Sequence, residues 1–199
     1  GAQEDESGWS AFLRHLVDRG LSGVRPIISD ACRGLVESVA EYLPDARWQR
    51  CMVHFLCNVF SHVPSAKVRE VTQMLKAIHA QESRDTAQEK ADTVIGELRR
   101  QGMTRAAELV EESIGETLTY YAFPDSHWIK IRTNNPLERI MKEIRRRTRV
   151  VGAFPDGQSC LNPAAARLRH IAGSKWSTRK YINMAPLYAE QTSSTGAVT

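Results

Sequence analysis

The sequence lacks any long hydrophobic run. No stretch approaches the roughly 18 apolar residues that a membrane-spanning helix needs, and the first residues hold no basic-then-apolar secretory signal. Cysteine is also scarce, and the four cysteines form no dense disulfide framework. They are Cys32, Cys51, Cys57 and Cys160. These absences argue against a membrane protein or a disulfide scaffold, and they favour a protein of the reducing cytoplasm with no membrane partner.

Acidic residues are scarce in the last third of the chain. Residues 126–199 hold 13 Lys and Arg against 4 Asp and Glu, a balance of +9, within a whole-chain charge of +4. Residues 1–125 hold 14 against 19, a balance of −5. A basic segment of this size favours a polyanionic partner, most plausibly nucleic acid. A solvated basic face without a ligand is the alternative.

The first 64 residues alternate between helix and strand signals. With 199 residues, of which 42% are hydrophobic, the chain is long enough to bury a core. The predicted elements are a helix around residues 9–17 ended by Gly20, a strand at 24–29, a helix stopped by Pro44, a strand at 47–50 and a helix at 52–63. This alternation predicts an α/β fold with helices packed on a sheet.

From residue 65 to about residue 123 only helix signals occur. Apolar residues recur at helical spacing in three segments, beginning near Val68, Ala87 and Ala106. We interpret this stretch as an all-helical insertion in the α/β domain. A further helix is predicted from Asn135 to about Arg149, and the small, polar tail beyond Gln191 is expected to be disordered.

The helix that begins near Asn135 has two distinct faces. One face is apolar and is expected to pack on the core; it holds Leu137, Ile140, Met141, Ile144 and Thr148. A second face places Glu138 at the head of a stripe of cations formed by Lys142, Arg145 and Arg149. A carboxylate that binds a metal, beside cations that hold a DNA backbone, explains this pattern. The alternative is a capping box, with Asn135 as N-cap and Glu138 at the third helical position.

Asp30 follows the first predicted strand directly. A carboxylate at a strand end is held by a rigid sheet and can coordinate a divalent metal. The alternative is that Asp30 is the N-cap of the next helix.

Cys51 and His54 have a C-x-x-H spacing. A structural zinc site needs four ligands, and no second well-spaced pair is evident, so packing is favoured over zinc binding. Trp48 is interpreted as a residue between sheet and helix, with base stacking as the alternative.

Four blocks of sequence stand out by their order and spacing over roughly residues 8–157. They are Ile28-Ser29-Asp30-Ala31; Trp48-Gln49-Arg50-Cys51 with Val53-His54-Phe55; Asn135-Pro136-Leu137-Glu138-Arg139 with Lys142-Glu143-Ile144 and Arg146-Arg147-Thr148; and Val150-Val151-Gly152 with Phe154-Pro155. Together these blocks resemble the Mutator-type transposases of bacterial insertion sequences.

The resemblance implies an RNase H-like fold. The chain would hold an incomplete α/β core, a sheet flanked by helices, with an all-helical insertion, and would be mostly helical overall. The implied division is core at residues 1–64 and 126–190, insertion at 65–125 and a disordered tail at 191–199. Cys51 and His54 match a C-x-x-H signature of the family, with a structural or DNA-contacting role.

The resemblance also implies an enzyme, a metal-dependent DNA strand transferase of the Asp-Asp-Glu kind. Asp30 would be the second acid and Glu138 the third, both binding Mg²⁺ or Mn²⁺, and their separation of 108 residues leaves room for the insertion. The implied DNA contacts are Lys142, Arg145, Arg146 and Arg149. The implied partners are the element ends, the target DNA and further copies of the protein in a homo-oligomer.

The family's first Asp lies on a strand upstream of the helix with which this sequence effectively begins. We therefore expect the 199-residue chain alone not to cut DNA. Two other functions remain open at this stage: a truncated, non-catalytic DNA-binding remnant of a transposase, and a helical protein-interaction module.

Overall fold

The structure is a computed structural model that describes residues 6–189, except for the side chains of residues 176 and 177. The chain divides into two compact units, Gly1–Thr133 and Asn134–Thr199. It is mostly helical, with one small parallel sheet. The predicted disordered tail lies outside the described residues.

The first unit contains two strands and seven helices within its described residues. They are α1 (Glu6–Asp18), β1 (Pro26–Ser29), α2 (Arg33–Tyr42), β2 (Arg47–Arg50), α3 (Met52–Phe60), α4 (Val68–Ile78), α5 (Arg84–Arg100), α6 (Thr104–Thr117) and α7 (Asp125–Ile131), with single 3₁₀ turns at Ser65–Lys67 and Thr119–Ala122. The predicted order of helix and strand over the first 64 residues is confirmed. The short helix α7 was not predicted.

The two strands pair in parallel, with Ile27 opposite Trp48 and Ser29 opposite Arg50. Pro26 is the first residue of β1, a position where its missing N–H costs no ladder hydrogen bond. Because the strands are parallel, their carboxyl ends share one edge of the sheet. Asp30 and Cys51, the residues that follow them, therefore both lie at that edge.

Helices α1 and α2 pack together through a small apolar cluster. Its buried members are Leu13, Leu35, Val39 and Leu43, with Trp9, Leu16 and Ile27 among the half-buried residues around them. Gly20 ends α1 with φ of 94°, a left-handed conformation that suits glycine at a helix terminus. Helix α2 ends at Tyr42, two residues before Pro44, as the sequence predicted.

The region predicted to be a helical insertion consists of α4, α5 and α6. Its apolar stripes are buried as expected; the buried residues include Val71, Leu75, Ile78, Ala87, Ala91, Val94, Leu98, Ala106, Val110 and Ile114. The capping box of α5 joins Ser83 and Thr86, because the Ser83 hydroxyl accepts a hydrogen bond from Thr86 N at 3.2 Å. This bond satisfies one of the otherwise unpaired N–H groups of the first turn.

The second unit contains α8 (Asn135–Val151), α9 (Gly157–Ala172) and α10 (Lys175–Thr178). Asp156 caps α9, since its carboxylate accepts a hydrogen bond from Ser159 N at 2.6 Å. The predicted packing face of α8 is covered only in part: Ile140, Ile144 and Thr148 are half-buried, whereas Leu137 is 58% exposed and Met141 is 39% exposed.

The described residues show neither a membrane-spanning helix nor a disulfide bond. Among the helices within residues 6–189, none combines the length and the apolar character that crossing a bilayer requires. No disulfide joins the four cysteines, all of which lie in the described part of the chain.

Candidate functional site

Asp30 lies exposed immediately beyond β1. It does not cap the next helix, because the N-cap of α2 is Cys32 and Arg33 is the first helical residue. Within residues 6–189 the Asp30 carboxylate makes no ion pair and no side-chain hydrogen bond. The capping alternative is therefore wrong, and the carboxylate stands available at the sheet edge.

A chain of hydrogen bonds fixes the backbone at Asp30. The indole Nε1 of Trp48 donates to the Ser29 hydroxyl at 2.9 Å, and that hydroxyl donates to the carbonyl oxygen of Asp30 at 2.7 Å. Cys51 N donates to the carbonyl oxygen of Ser29 at 2.6 Å. Trp48 is half-buried and holds the strand end, which favours the structural interpretation of this residue over base stacking.

Gln49 and Arg50 join the sheet to the end of the helical region. The fully buried amide of Gln49 donates to Thr117 O and accepts from Tyr120 N, both at 2.8 Å. Arg50 donates from Nη1 to Glu116 Oε2 at 2.9 Å, and its guanidinium lies 5.9 Å from the centre of the Phe55 ring. Sequence reasoning assigned no role to these two residues. The sequence feature that could have identified them is their polar character, because they lie in a strand that directly precedes an apolar helix.

Cys51 and His54 lie at the start of α3. Cys51 is the N-cap of the helix and is fully buried, and its side chain provides no capping hydrogen bond. Its Sγ lies within 4.8 Å of a ring nitrogen of the half-buried His54. The pair is packed against the sheet edge, and this burial supports the structural role expected of it.

Glu138 lies half-buried in the first turn and a half of α8. The helix begins at Asn135, one residue earlier than the capping hypothesis required, so Glu138 is its fourth residue. The N-cap is Asn134, whose side chain makes no capping hydrogen bond. The capping box with Asn135 as N-cap, which was the alternative interpretation of Glu138, therefore does not form.

The predicted DNA-contacting residues of α8 divide into two groups. Lys142, Arg145 and Arg149 are exposed and make no ion pair among the described residues. Arg146 instead forms a fork with Glu143, with Nε and Nη2 each 3.1 Å from a carboxylate oxygen. We call the first three residues the cationic stripe.

Glu143 is the centre of an ion-pair cluster that sequence reasoning missed. Arg147 Nε donates to Glu143 Oε1 at 2.9 Å, and Arg167 Nη2 of α9 lies 3.6 Å from the same oxygen. Hydrogen bonds from Arg146 and Arg147 lower the pKa of the Glu143 carboxyl to about 2. The i, i+3 and i, i+4 spacing of Glu143, Arg146 and Arg147 was the available signal. Arg167 could not be paired without the fold.

The chain is similar to known transposases over most of its length. The family described as "Transposase, Mutator family" matches residues 1–176. The transposase for insertion sequence element ISRM5 of Rhizobium meliloti (strain 1021) is 38% identical over 184 residues, which cover 92% of this chain and 46% of that protein. The transposase for IS1081 of Mycobacterium tuberculosis is 37% identical over 181 residues, which cover 91% and 43%.

A more distant relative is similar over the same extent. The transposase for IS256 in transposon Tn4001 of Staphylococcus aureus is 30% identical over 183 residues, which cover 90% of this chain and 46% of that protein. The chain thus spans somewhat less than half the length of these curated relatives.

Proposed function

The chain belongs to the Mutator family of transposases, and from this premise we propose that it is part of the catalytic domain of a DNA transposase. The complete protein would cleave DNA and join the freed strands to a target with the help of divalent metal ions. Its fold would be RNase H-like, with core at residues 1–64 and 126–190 and the helical insertion at 65–125. Its partners would be the element ends, the target DNA and further copies of itself.

The observation that carries the proposal is the position of Asp30. Ligands of open α/β sheets bind beyond the carboxyl ends of the strands, and Asp30 is the exposed carboxylate that follows β1. Its carbonyl oxygen accepts a hydrogen bond from the Ser29 hydroxyl, which in turn accepts one from Trp48 Nε1. A rigid support of this kind keeps a metal ligand in position.

The residues present fit a hard divalent cation. Carboxylate oxygens are the ligands that Mg²⁺ and Mn²⁺ prefer, and Asp30 and Glu138 supply them. When bound, the ions stabilise the negative charge that develops on the phosphate and activate the attacking oxygen. We propose that Asp30 and Glu138 bind these ions.

The cations of α8 would hold the DNA. Exposed Lys142, Arg145 and Arg149 can contact successive phosphates, because they lie on one side of a helix. Arg146 is held by Glu143 and would contribute from the same helix. The sugar–phosphate backbone would thus be positioned beside Glu138, which lies on the same helix.

The test is DNA cleavage and strand transfer by a chimera. This chain would be joined to the part of the Rhizobium relative that it does not cover, and the substrate would carry that relative's element ends. We expect Mg²⁺-dependent activity that Asp30→Asn and Glu138→Gln each abolish. Asp45→Asn and Glu112→Gln are matched controls, since both original side chains are exposed, and these variants should remain active.

Full activity in both Asp30→Asn and Glu138→Gln would contradict the assignment of these acids. A chimera that binds DNA but cleaves none, with the native relative active in the same assay, would favour the competing function of a non-catalytic DNA-binding remnant.

A further inference from the structure

Helices α8 and α9 enclose a basic groove on the second unit. Its volume is about 370 Å³, and it is lined by Arg147, Pro163, Ala166, Arg167 and His170. We call this feature the α8–α9 groove. None of its lining residues belongs to the cationic stripe.

The groove has more positive than negative charge. Glu143 is the one carboxylate that its arginines contact among the described residues, and it is shared by Arg146, Arg147 and Arg167. The two arginines that line the groove, Arg147 and Arg167, outnumber this carboxylate and leave a surplus of one positive charge. The pKa of Glu143, lowered to about 2 by its arginine partners, keeps that carboxylate ionised at neutral pH.

The groove arginines retain unused hydrogen-bond donors. Arg147 bonds to Glu143 through Nε, and its terminal amino groups have no hydrogen-bond partner within residues 6–189. The buried Nε of Arg167 likewise has no acceptor in the described part of the chain. Its Nη2 lies 3.6 Å from Glu143, beyond good hydrogen-bond distance. The terminal amino groups of Arg147, whose side chain is 49% exposed, can therefore bind a further oxyanion in the groove that Arg167 also lines.

The groove and the cationic stripe face different directions. At 100° per residue, Arg147 lies about 165° around the helix axis from the centre of the stripe formed by Lys142, Arg145 and Arg149. One duplex backbone that follows the stripe cannot continue into the groove on the far side of α8. An anion in the groove would come from another DNA segment or from another turn of a bent one.

We propose that the α8–α9 groove binds a phosphodiester group of DNA, as a contact separate from the cationic stripe. The inference rests on the proposed DNA-binding function and adds a second site to it. Arginine forks match the oxygens of a phosphate in bidentate geometry. Glu143 is a positioning residue, because it holds Arg147 and Arg167 on the two walls of the groove. Pro163 and Ala166 provide an apolar surface for the sugar.

The test is duplex DNA binding by the 199-residue chain, measured by fluorescence anisotropy at several salt concentrations. We expect Arg147→Ala with Arg167→Ala to lower affinity about tenfold and to reduce the salt slope by about two. The matched control is Arg99→Ala with Arg105→Ala, which removes two arginines that also form exposed ion pairs with glutamates. Its affinity and slope should stay close to parental.

A second variant guards against misfolding. Arg147→Lys with Arg167→Lys keeps both charges but loses the fork geometry, so its slope should stay near parental while its affinity falls by a smaller factor. The groove alanine variant can be combined with alanine at all three residues of the cationic stripe. The losses of DNA-binding free energy should then add, since the two contacts are separate.

Several outcomes would overturn the inference. Parental affinity and slope in the folded alanine variant, together with reduced binding by the stripe variant, would remove the groove site and leave the proposed function intact. Loss of self-association in sedimentation, with DNA affinity unchanged, would assign the groove to an acidic segment of a second copy. Absence of DNA binding by the parent chain would overturn the groove site and contradict the proposed function itself.

Discussion

Gln49 Oε1 accepts a hydrogen bond from the backbone N–H of Tyr120 at 2.8 Å, although 71 residues separate them. The same amide donates through Nε2 to the carbonyl oxygens of Thr117 and Arg50, each at 2.8 Å. Gln49 belongs to β2, the strand that leads into the Cys51 and His54 pair. One buried side chain therefore links the end of β2 to the C-terminal end of the helical region.

Gln49→Leu should destabilise the chain by about 2–4 kcal/mol, because it leaves the buried N–H of Tyr120 and the carbonyl of Thr117 without partners. Urea unfolding followed by circular dichroism measures this loss. Gln88→Leu is the control, since Gln88 is exposed and, among residues 6–189, its side chain bonds only to Asp92, at 3.3 Å. Equal stability of the two variants would show that the Gln49 bonds contribute little.

The role of Gln49 marks the limit of what sequence could predict. The pattern of residues gave β2 with the bounds Arg47–Arg50, because the strand is short and lies between a proline-ended helix and an apolar helix. It could not identify partners of Gln49, because hydrogen bonds across 68 and 71 residues depend on how the helices fold back. The sequence showed only that Gln49 is a polar residue within a predicted strand.

Helix α8 shows the converse limit. Its existence and its end near Arg149 followed from Pro136 and from helical periodicity, but the extent to which its apolar face is covered did not. The periodicity identified an apolar stripe, yet Leu137 and Met141 are exposed. An apolar stripe shows where a helix can pack, and only the fold determines whether a surface covers it.

A second prediction concerns acid destabilisation through His79. Burial, with a smaller contribution from the charge of Arg132, lowers the pKa of His79 from 6.5 to about 4. In the unfolded chain this histidine gains a proton as the pH falls through 6.5, whereas in the folded chain it gains one only near 4. The unfolded state thus binds more protons between these values, and the free energy of unfolding falls with pH there.

Between pH 7 and pH 5 this histidine should lower the free energy of unfolding by about 2 kcal/mol. His79→Phe keeps an aromatic ring beside Tyr120, whose ring centre lies 6.1 Å away, and should flatten the dependence by that amount. His62→Gln changes an exposed histidine and should keep the parental dependence. An unaltered pH profile in His79→Phe would contradict the prediction.

A third prediction concerns the cationic stripe. Replacing Lys142, Arg145 and Arg149 together by Ala should lower duplex affinity and reduce the salt slope by about 3, since each phosphate contact releases about one counterion. The effect should not depend on DNA sequence, because backbone contacts carry no base information.

The control for the stripe removes three exposed cations from the first unit, at Lys76, Arg84 and Arg105, and so matches the change in net charge. It should leave the slope near the parental value. If both triple variants reduce the slope equally, net charge rather than the stripe governs binding.

The fourth prediction is that Asp30 and Glu138 bind the same Mn²⁺. Two carboxylates that share an ion are coupled, so the free-energy losses from Asp30→Asn and Glu138→Gln should not add. Either variant alone should abolish most of the affinity, because one carboxylate retains little of the charge that the ion requires. The parent, the two single variants and the double variant form a double-mutant cycle. Titration of each with Mn²⁺, followed by electron paramagnetic resonance of the unbound ion, gives the four affinities.

The melting temperature separates loss of the ion from loss of the fold. Neither acid caps a helix, since Cys32 and Asn134 hold the N-cap positions of α2 and α8, so both variants should melt within a few degrees of the parent. Asp45→Asn with Glu112→Gln removes two exposed carboxylates and should keep parental Mn²⁺ affinity. Losses that add across the cycle would mean separate ions at Asp30 and Glu138. The shared metal site would then be wrong even if the cationic stripe binds DNA, because phosphate binding and metal binding draw on different side chains.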